Sequence, residues 1–549
     1  MDRVGILHQG GSGKLTLSGN SRGFTGEAIV DEGTLVVNGA LGGTVTVLGA
    51  RLEGVGTIGD TLVKGTIAPG NSIGTLNVTG NITFDQGSIF EVEVNAAGAG
   101  DRINATGSAT IDGGTVRVLA GVGNYAPATT YTILTANGVG GTFAGVTSNL
   151  AFLDPTPSYD ANNVYLTITR NTVSFQNVGV TRNQIATGGG VESLGSGNPL
   201  HNAVLNLSVS QARTAFDQLS GEIHSSAKAS MIEDSRFVRN AINDRIRAAF
   251  DGVGSSGGVV TTYVDGKPVP VAANTNGIAL WGEGFGSWGH TDGDGNAARL
   301  NRKTGGFFVG LDTPVFDTWR FGAVAGYSNT SFDMKDRYSS GSSDNYHLGL
   351  YGGTQWGNLA FRTGAAYTWH DISTNRSVSF SGFGGSLKGD DNAGTAQVFG
   401  ELAYGVNMGA TRFEPFANLA YVNLHTDGIS ERGGAAALTS LSSDTDATFT
   451  TLGLRASSTF EVNGANLTAK GALGWRHAFG GVTPISTMRF GGGDAFTVAG
   501  VPIARNAAVM EAGLDFALTP DAVLGVTYGG QFGSDMSDQS VKANFNVRL

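Results

Sequence analysis

VKANFNVRL, residues 541–549, sets apolar Val541, Ala543, Phe545, Val547 and Leu549 in strict alternation with polar Lys542, Asn544, Asn546 and Arg548. Period-two alternation gives an extended strand with one dry face and one wet face. Chain termini ordinarily fray, so a terminus patterned to its last residue is expected to be tied into a sheet. Composition narrows the kind of sheet. The 549 residues hold 87 Gly, only 12 Pro, no Cys and 14% charged residues. That mixture suits many strands and tight turns, and the glycines follow no three-residue period, which excludes collagen.

The length implies more than one structural unit. A net charge of −11 argues against nucleic acid as a general partner, because phosphate binding needs clustered cations. Without Cys there is no disulfide, thiolate nucleophile or thiolate metal site. No apolar run is long enough for a transmembrane helix. The opening MDRVGILHQGGSGKL has no apolar core of a signal peptide, so the true chain is expected to begin upstream of Met1.

Residues 1–170 repeat a Gly-Thr-apolar unit: GTLVVNG (33–39), GTVTVLG (43–49), GTLNVTG (74–80) and GTVRVLA (114–120). Short strands at this spacing suit a solenoid whose rungs bury a common core, more than the hairpins of a sandwich. From 171 to 277 helix signals take over, with Pro199 at one helix start and Ser210 as an expected N-cap. Residues 252–277 read as a linker by composition.

Strands return over 278–549. Twelve are expected: 278–290, 304–314, 318–330, 344–356, 358–371, 394–407, 411–424, 446–459, 465–478, 505–518, 521–533 and 539–549. Each reaches the roughly 9–11 residues that a tilted strand needs to cross a bilayer. Leu359, Phe361, Ala365, Tyr367 and Trp369 share one face, and Arg362, Gly364, Thr368 and His370 the other. Connections alternate between long polar loops, such as 372–393 and 425–445, and short turns. Outer-membrane barrels show this apolar-out alternation and this asymmetry of loops. The last strand must then pair with the first, because an open edge cannot stand in lipid.

At this point the chain resembles the autotransporters, the type V secretion family of Gram-negative bacteria. GTIAPGNSIGTLNVTGNITFDQGSIFEVEV (65–94) looks like the family's autochaperone region. TRNQ (181–184) and QARTAFDQLSGEIHSSAKASMIEDSRFVRNAI (211–242) match its segment between passenger and barrel. ALWGEGFGSWGHTDGDGNAARL (279–300), FFVGLDT (307–313) and FGAVAGYS (321–328) match its first barrel strands. The family commonly ends on an aromatic residue, where this chain has Leu549.

The resemblance implies an all-β fold with a helical linker. A right-handed parallel β-helix (1–170) leads through a helical linker and pore helix (171–277) to a 12-stranded antiparallel transmembrane β-barrel (278–549). It also implies an outer-membrane barrel that displays its own passenger at the cell surface. The implied partners are outer-membrane lipid, the barrel-assembly machinery, periplasmic chaperones and a host or cell-surface ligand, with the barrel monomeric. The expected role is adhesin-like secretion and display rather than enzymatic, with no cofactor. The alternative is a passenger-borne protease or esterase whose catalytic part lies upstream.

Within the expected pore helix, Arg236, Arg239, Arg245 and Arg247 outnumber Asp244. Inward parity places Glu401, Glu414, Glu511 and Asp515 in the lumen, where charge-assisted hydrogen bonds to the helix are expected. The competing reading pairs those acids with lumen Arg362, Arg412 or Arg455. Some family members release the passenger by attack of an Asn side chain on its own carbonyl. Asn240 and Asn243 are the candidates here, with an uncleaved tether favoured.

Other motifs read as structure. GNSIG (70–74) fits a nucleophile elbow, but Ser72 lies between strand-like repeats and not before a helix. GVGTIG (54–59) fits a dinucleotide fingerprint, but no helix follows, and turn glycines account for it better. DGDGN (292–296) starts like a calcium loop, yet Ala297 and Lys303 stand where Gly and Glu are needed. The eight histidines are scattered, and no metal site is expected.

Overall fold

The computed structural model describes residues 4–126, 128–255, 259–264, 267–272, 277–316, 318–462, 465–519 and 522–547. Arg548 and Leu549, the end of the opening stretch, lie outside the described residues. The chain divides into two units.

The first unit runs to Gly179 and includes Gly195–Ala215 and Ser379–Phe383. Its short strands stack in parallel into three sheets wound as a β-helix. Register is set by columns of like residues. Leu35, Leu52, Ile67, Phe90 and Val116 are successive partners in one sheet. All five are essentially inaccessible. Each such burial contributes about 1.5–3 kcal/mol, and no rung can collect it alone, because its core is supplied by the rungs above and below. Glycine marks the corners. Gly54 has φ +122°, and a Cβ there would stand 2.1 Å from the Val37 carbonyl oxygen. One at Gly59 would stand 1.7 Å from that of Gly43. The GVGTIG glycines therefore let successive turns stack.

The last rungs turn antiparallel: Asn163–Arg170 pairs with Thr129–Thr135 on one side and with Leu153–Tyr159 on the other. Two helices follow, the second of which begins in this unit and ends in the next. Asn198 caps Pro199–Leu205 by accepting from Leu200 N at 2.9 Å. The helix Val209–Leu219 is capped by Ser208 and not by Ser210. Ser208 Oγ accepts from Gln211 N, and Gln211 Oε1 accepts from Ser208 N. This reciprocal capping box satisfies two amides at once, which a cap at Ser210 could not do with Gln211.

The second unit is a closed antiparallel barrel of twelve strands. They are Ala279–Thr291, Leu300–Val315, Trp319–Met334, Ser339–Trp356, Leu359–Phe380 and Phe383–Tyr404, then Thr411–Thr426, Ser443–Val462, Ala465–Phe479, Asn506–Thr519, Ala522–Phe532 and Met536–Val547. The last strand pairs with the first from Met536↔Thr291 to Ala543↔Gly284, closing the barrel. Leu350, Leu402, Leu419 and Leu473 project outward and are exposed, while Arg362, Thr368 and His370 are buried inside. No helix among the described residues is long and apolar enough to cross a membrane.

Two expectations change. Residues 372–393 are not a loop but the continuation of the fifth and sixth strands, which run 22 residues each and turn at Gly382, φ +77°. The alternation of Ile372, Thr374, Arg376 and Val378, all buried, carries the strand onward. Likewise Val259–Val264 and Lys267–Ala272, within the expected linker, pair antiparallel and join the first strand at Thr261↔Leu280.

Candidate functional site: the helix-filled lumen

We label five helices α1 (Arg182–Glu192), α2 (Pro199–Leu205), α3 (Val209–Leu219), α4 (Glu222–Asp234) and α5 (Arg236–Ala249). α4 and α5 lie in the second unit and are packed inside the barrel. Every residue of α4 is buried. Such a helix has no solvent face, so its polar residues must find partners on the wall. α5 sets Phe237, Val238, Ile242 and Ile246 against the wall residues Trp281, Phe285, Phe308 and Tyr351. Phe237 stacks on Phe285 at 4.6 Å between centroids, and Phe285 on Phe308 at 5.3 Å. Gly353 of the fourth strand is needed for close approach: a Cβ there would stand 2.4 Å from Ile246 Cγ2.

Charged residues of both signs run down the helices and find complements mostly on the strands. Glu233 takes both terminal nitrogens of Arg476. Asp234 accepts from Thr304 and Thr330 and lies 3.4 Å from Arg302 Nε. Arg236 donates to Asp538, which also binds Arg302 and Ser287. Arg239 donates to Gln397 at 2.9 Å. Asp244 bridges Lys542 and Arg247, each at 2.9 Å. Arg245 forks onto Asp312, which also binds Arg320 and Tyr351. Buried pairs of this kind add little net stability over apolar packing. Breaking one strands a charge and costs about 3–5 kcal/mol, so together they fix the register of the helices.

The carboxylates expected to hold the helix do other work. Glu401 and Glu414 form a buried square with Arg362 and Arg455 of the wall. Asp515 pairs with Lys470 at 2.9 Å, and Glu511 is half-buried. Arg412, the third basic candidate, is half-buried, donates to Asp251 O at 2.9 Å and lies 3.8 Å from the Asp251 carboxylate. The acids that meet helix arginines are Asp312 and Asp538, which sequence reasoning missed. Asp538 fell one residue outside the strand drawn as 539–549. Asp312 was visible in principle, since the outward Phe307, Val309 and Leu311 place it inward by parity. Asn240 is half-buried and Asn243 buried, both inside α5.

Above the helices, loops between strands fold into a cap. Leu438–Ser440, Ile485–Phe490 and Phe496–Ala499 form a small sheet. Asn183 of α1 completes it with its side chain, donating to Ala499 O at 2.8 Å and accepting from Ala499 N at 2.9 Å. Glu222, at the α4 N-terminus, accepts from Asn183, Ala298 N and Arg337. Its charge also suits the positive end of the helix dipole. Glu431 accepts from Arg376 and contacts His224 at 2.8 Å.

The other motifs find plain roles. Ser72 occupies an exposed bend between Thr66–Pro69 and Thr75–Val78. Asp294 accepts from Asn296 N and Ala297 N, which forms the turn of DGDGN.

Comparison with known proteins adds to this geometry. Residues 280–529 match the family model "Autotransporter beta-domain". Two curated relatives from Serratia marcescens, each named "Extracellular serine protease", are 34% and 31% identical and each align over 99% of this chain. The chain spans 56% of their length. Among solved structures, the translocator domain of the autotransporter NalP from Neisseria meningitidis aligns over 58% of this chain and 99% of its own, at 14% identity and TM-score 0.43. The relatives overturn the expectation that the role is not enzymatic: both are named extracellular serine proteases.

Proposed function

This chain belongs to the autotransporters, with its barrel in the outer membrane and its passenger on the cell surface, and on that premise we propose that it is the translocator and β-helical stalk of a secreted serine protease. The observation that carries this reading is the likeness over 99% of the chain, β-helix included, to extracellular serine proteases. On this reading the catalytic part lies upstream of this chain, which spans 56% of the length of those relatives. The β-helix presents that part outside, and its last antiparallel rungs seed passenger folding. α4 and α5 stay behind and occupy the lumen. Folding of the barrel draws on periplasmic chaperones and the barrel-assembly machinery. The adhesin-like reading has less support than the protease reading.

A fluorophosphonate probe for activated serines tests this on a Gram-negative host producing the full gene product. The expected result is a labelled species at the surface or in the medium, lost when the barrel residues are deleted. A displayed passenger that takes no label would return the adhesin-type reading to first place.

A further inference from the structure

The charges around the α4–α5 junction do not balance. Arg236, Arg239, Arg302 and Arg476 meet three carboxylates, Glu233, Asp234 and Asp538. All are buried. Arg239 has no carboxylate within ion-pair distance among the described residues, and its hydrogen bond goes to the neutral Gln397.

Most nearby acceptors are already engaged; the exception is Asp234 Oδ1, which makes no hydrogen bond among the described residues and lies 3.4 Å from Arg302 Nε, while Oδ2 accepts from Thr304 and Thr330. Glu233 gives both oxygens to Arg476. It stands 3.9 Å from Arg236 Nη1, too far for a hydrogen bond. Asp538 serves Arg236 Nη2, Arg302 and Ser287. Gln397 spends its amide on Ser235 O. Donors are left over: Arg236 Nη1 and Arg476 Nε are buried and make no hydrogen bond among the described residues. Rings cover one face of each guanidinium, Phe237 at 4.4 Å from Arg236 and Phe449 at 5.0 Å from Arg476. Only the edges of these guanidiniums remain to be satisfied. Arg236 and Arg239 stand one turn apart on α5, and Arg239 feels the charges of Arg476, Arg236 and the carboxylate of Glu233. A buried guanidinium without a counter-charge is costly, and here the excess is a single positive charge.

We propose that Arg236, Arg239 and Arg476 bind one small monovalent inorganic anion of chloride size inside the barrel lumen. The ion accepts from the leftover N–H groups and neutralises the excess charge. It thereby locks α4 and α5 to the sixth and ninth strands, which carry Gln397 and Arg476.

Bromide is the probe. Crystals of the full chain grown in sodium bromide are expected to show an anomalous peak in contact with these three arginines. The midpoint of barrel heat-modifiability should rise by several degrees when gluconate is replaced by chloride at constant ionic strength, and Arg239→Gln should abolish that rise. A lumen without bromide, or bromide only at the exposed surface, overturns the proposal. So does an Arg239→Gln barrel that keeps the full chloride response. The scattering measurement needs no variant and stands even where Arg239→Gln does not assemble.

Discussion

Arg245 forks onto Asp312 inside the barrel, with Nε 2.6 Å from one carboxylate oxygen and Nη2 2.8 Å from the other. Asp312 also serves Arg320 and the Tyr351 hydroxyl. The two ends of this pair are therefore unequal. Losing Arg245 leaves Asp312 with a second guanidinium. Losing the Asp312 charge removes the shared carboxylate from both Arg245 and Arg320. Asp312→Asn is expected to lower the heat-modifiability midpoint further than Arg245→Gln, with a cost toward the upper end of the roughly 3–5 kcal/mol seen for broken buried pairs. Semi-native gels at rising temperature read the order, and the reverse order would show that Arg245 is not held mainly by Asp312.

The square of Glu401, Glu414, Arg362 and Arg455 is closed on itself, and Arg455 also stacks 3.8 Å over Phe416. Its members are on the strands, so it ties wall to wall. Glu401→Gln should weaken the barrel without raising single-channel conductance. Arg236→Ala, which frees a helix contact, should raise conductance. Equal leak in the two variants would mean that the square also holds the helices.

Much of this architecture was legible because period-two patterning in a barrel is enforced on both faces. Lipid demands Leu350 and Leu473 outside, and the filled lumen demands Arg362 and Arg476 inside. What parity cannot give is the partner. Glu401 and Glu414 faced inward as read, but their partners were wall arginines, because the choice depends on depth and rotation around the barrel. The same holds for the fifth and sixth strands. Their extension past 371 has a polar outer face (Ser373, Asn375, Ser377) and an inner face that mixes Ile372 and Val378 with Thr374 and Arg376, so it looks like a loop until pairing is known. In the β-helix, apolar character alone does not separate Ile89 from Val92 as core residues. Val92 is buried in the core, while Ile89 shares an outward column with Thr66 and Thr115 and is only half-buried.

That difference gives a paired test of the β-helix. Phe90 packs 5.5 Å from Phe84 and 6.0 Å from Phe143. Phe90→Ala empties the centre of a rung and should cost about 3–5 kcal/mol, enough to expose the passenger to added protease. Ile89→Ala should be nearly silent. Barrel heat-modifiability should be unchanged in both. Equal protease resistance of Phe90→Ala and Ile89→Ala would show that the column is not what holds the rungs together.

Asp101 makes passenger stability depend on pH. It is buried and accepts backbone hydrogen bonds from Gly74 N at 2.8 Å and Glu93 N at 2.7 Å. Burial pushes its carboxyl up to about 7, against the lowering effect of those two bonds, and the negative Glu93 and Glu91 push the same way as burial. The folded state therefore holds a proton that the unfolded chain releases at an ordinary carboxylate pH. Stability from this group is full below about pH 4 and is lost as pH rises through about 7. All six Trp residues lie at or beyond Trp281, in the barrel, so tryptophan fluorescence follows the barrel while far-UV circular dichroism also follows the β-helix. The dichroism transition that fluorescence does not share should fall by several degrees between pH 5 and pH 8. Asp101→Asn, which cannot ionise, should lower the melting temperature at pH 5, because its amide nitrogen cannot accept the second backbone N–H. It should also flatten the slope between the two pH values. A variant with the parent's slope would assign the pH dependence to another group.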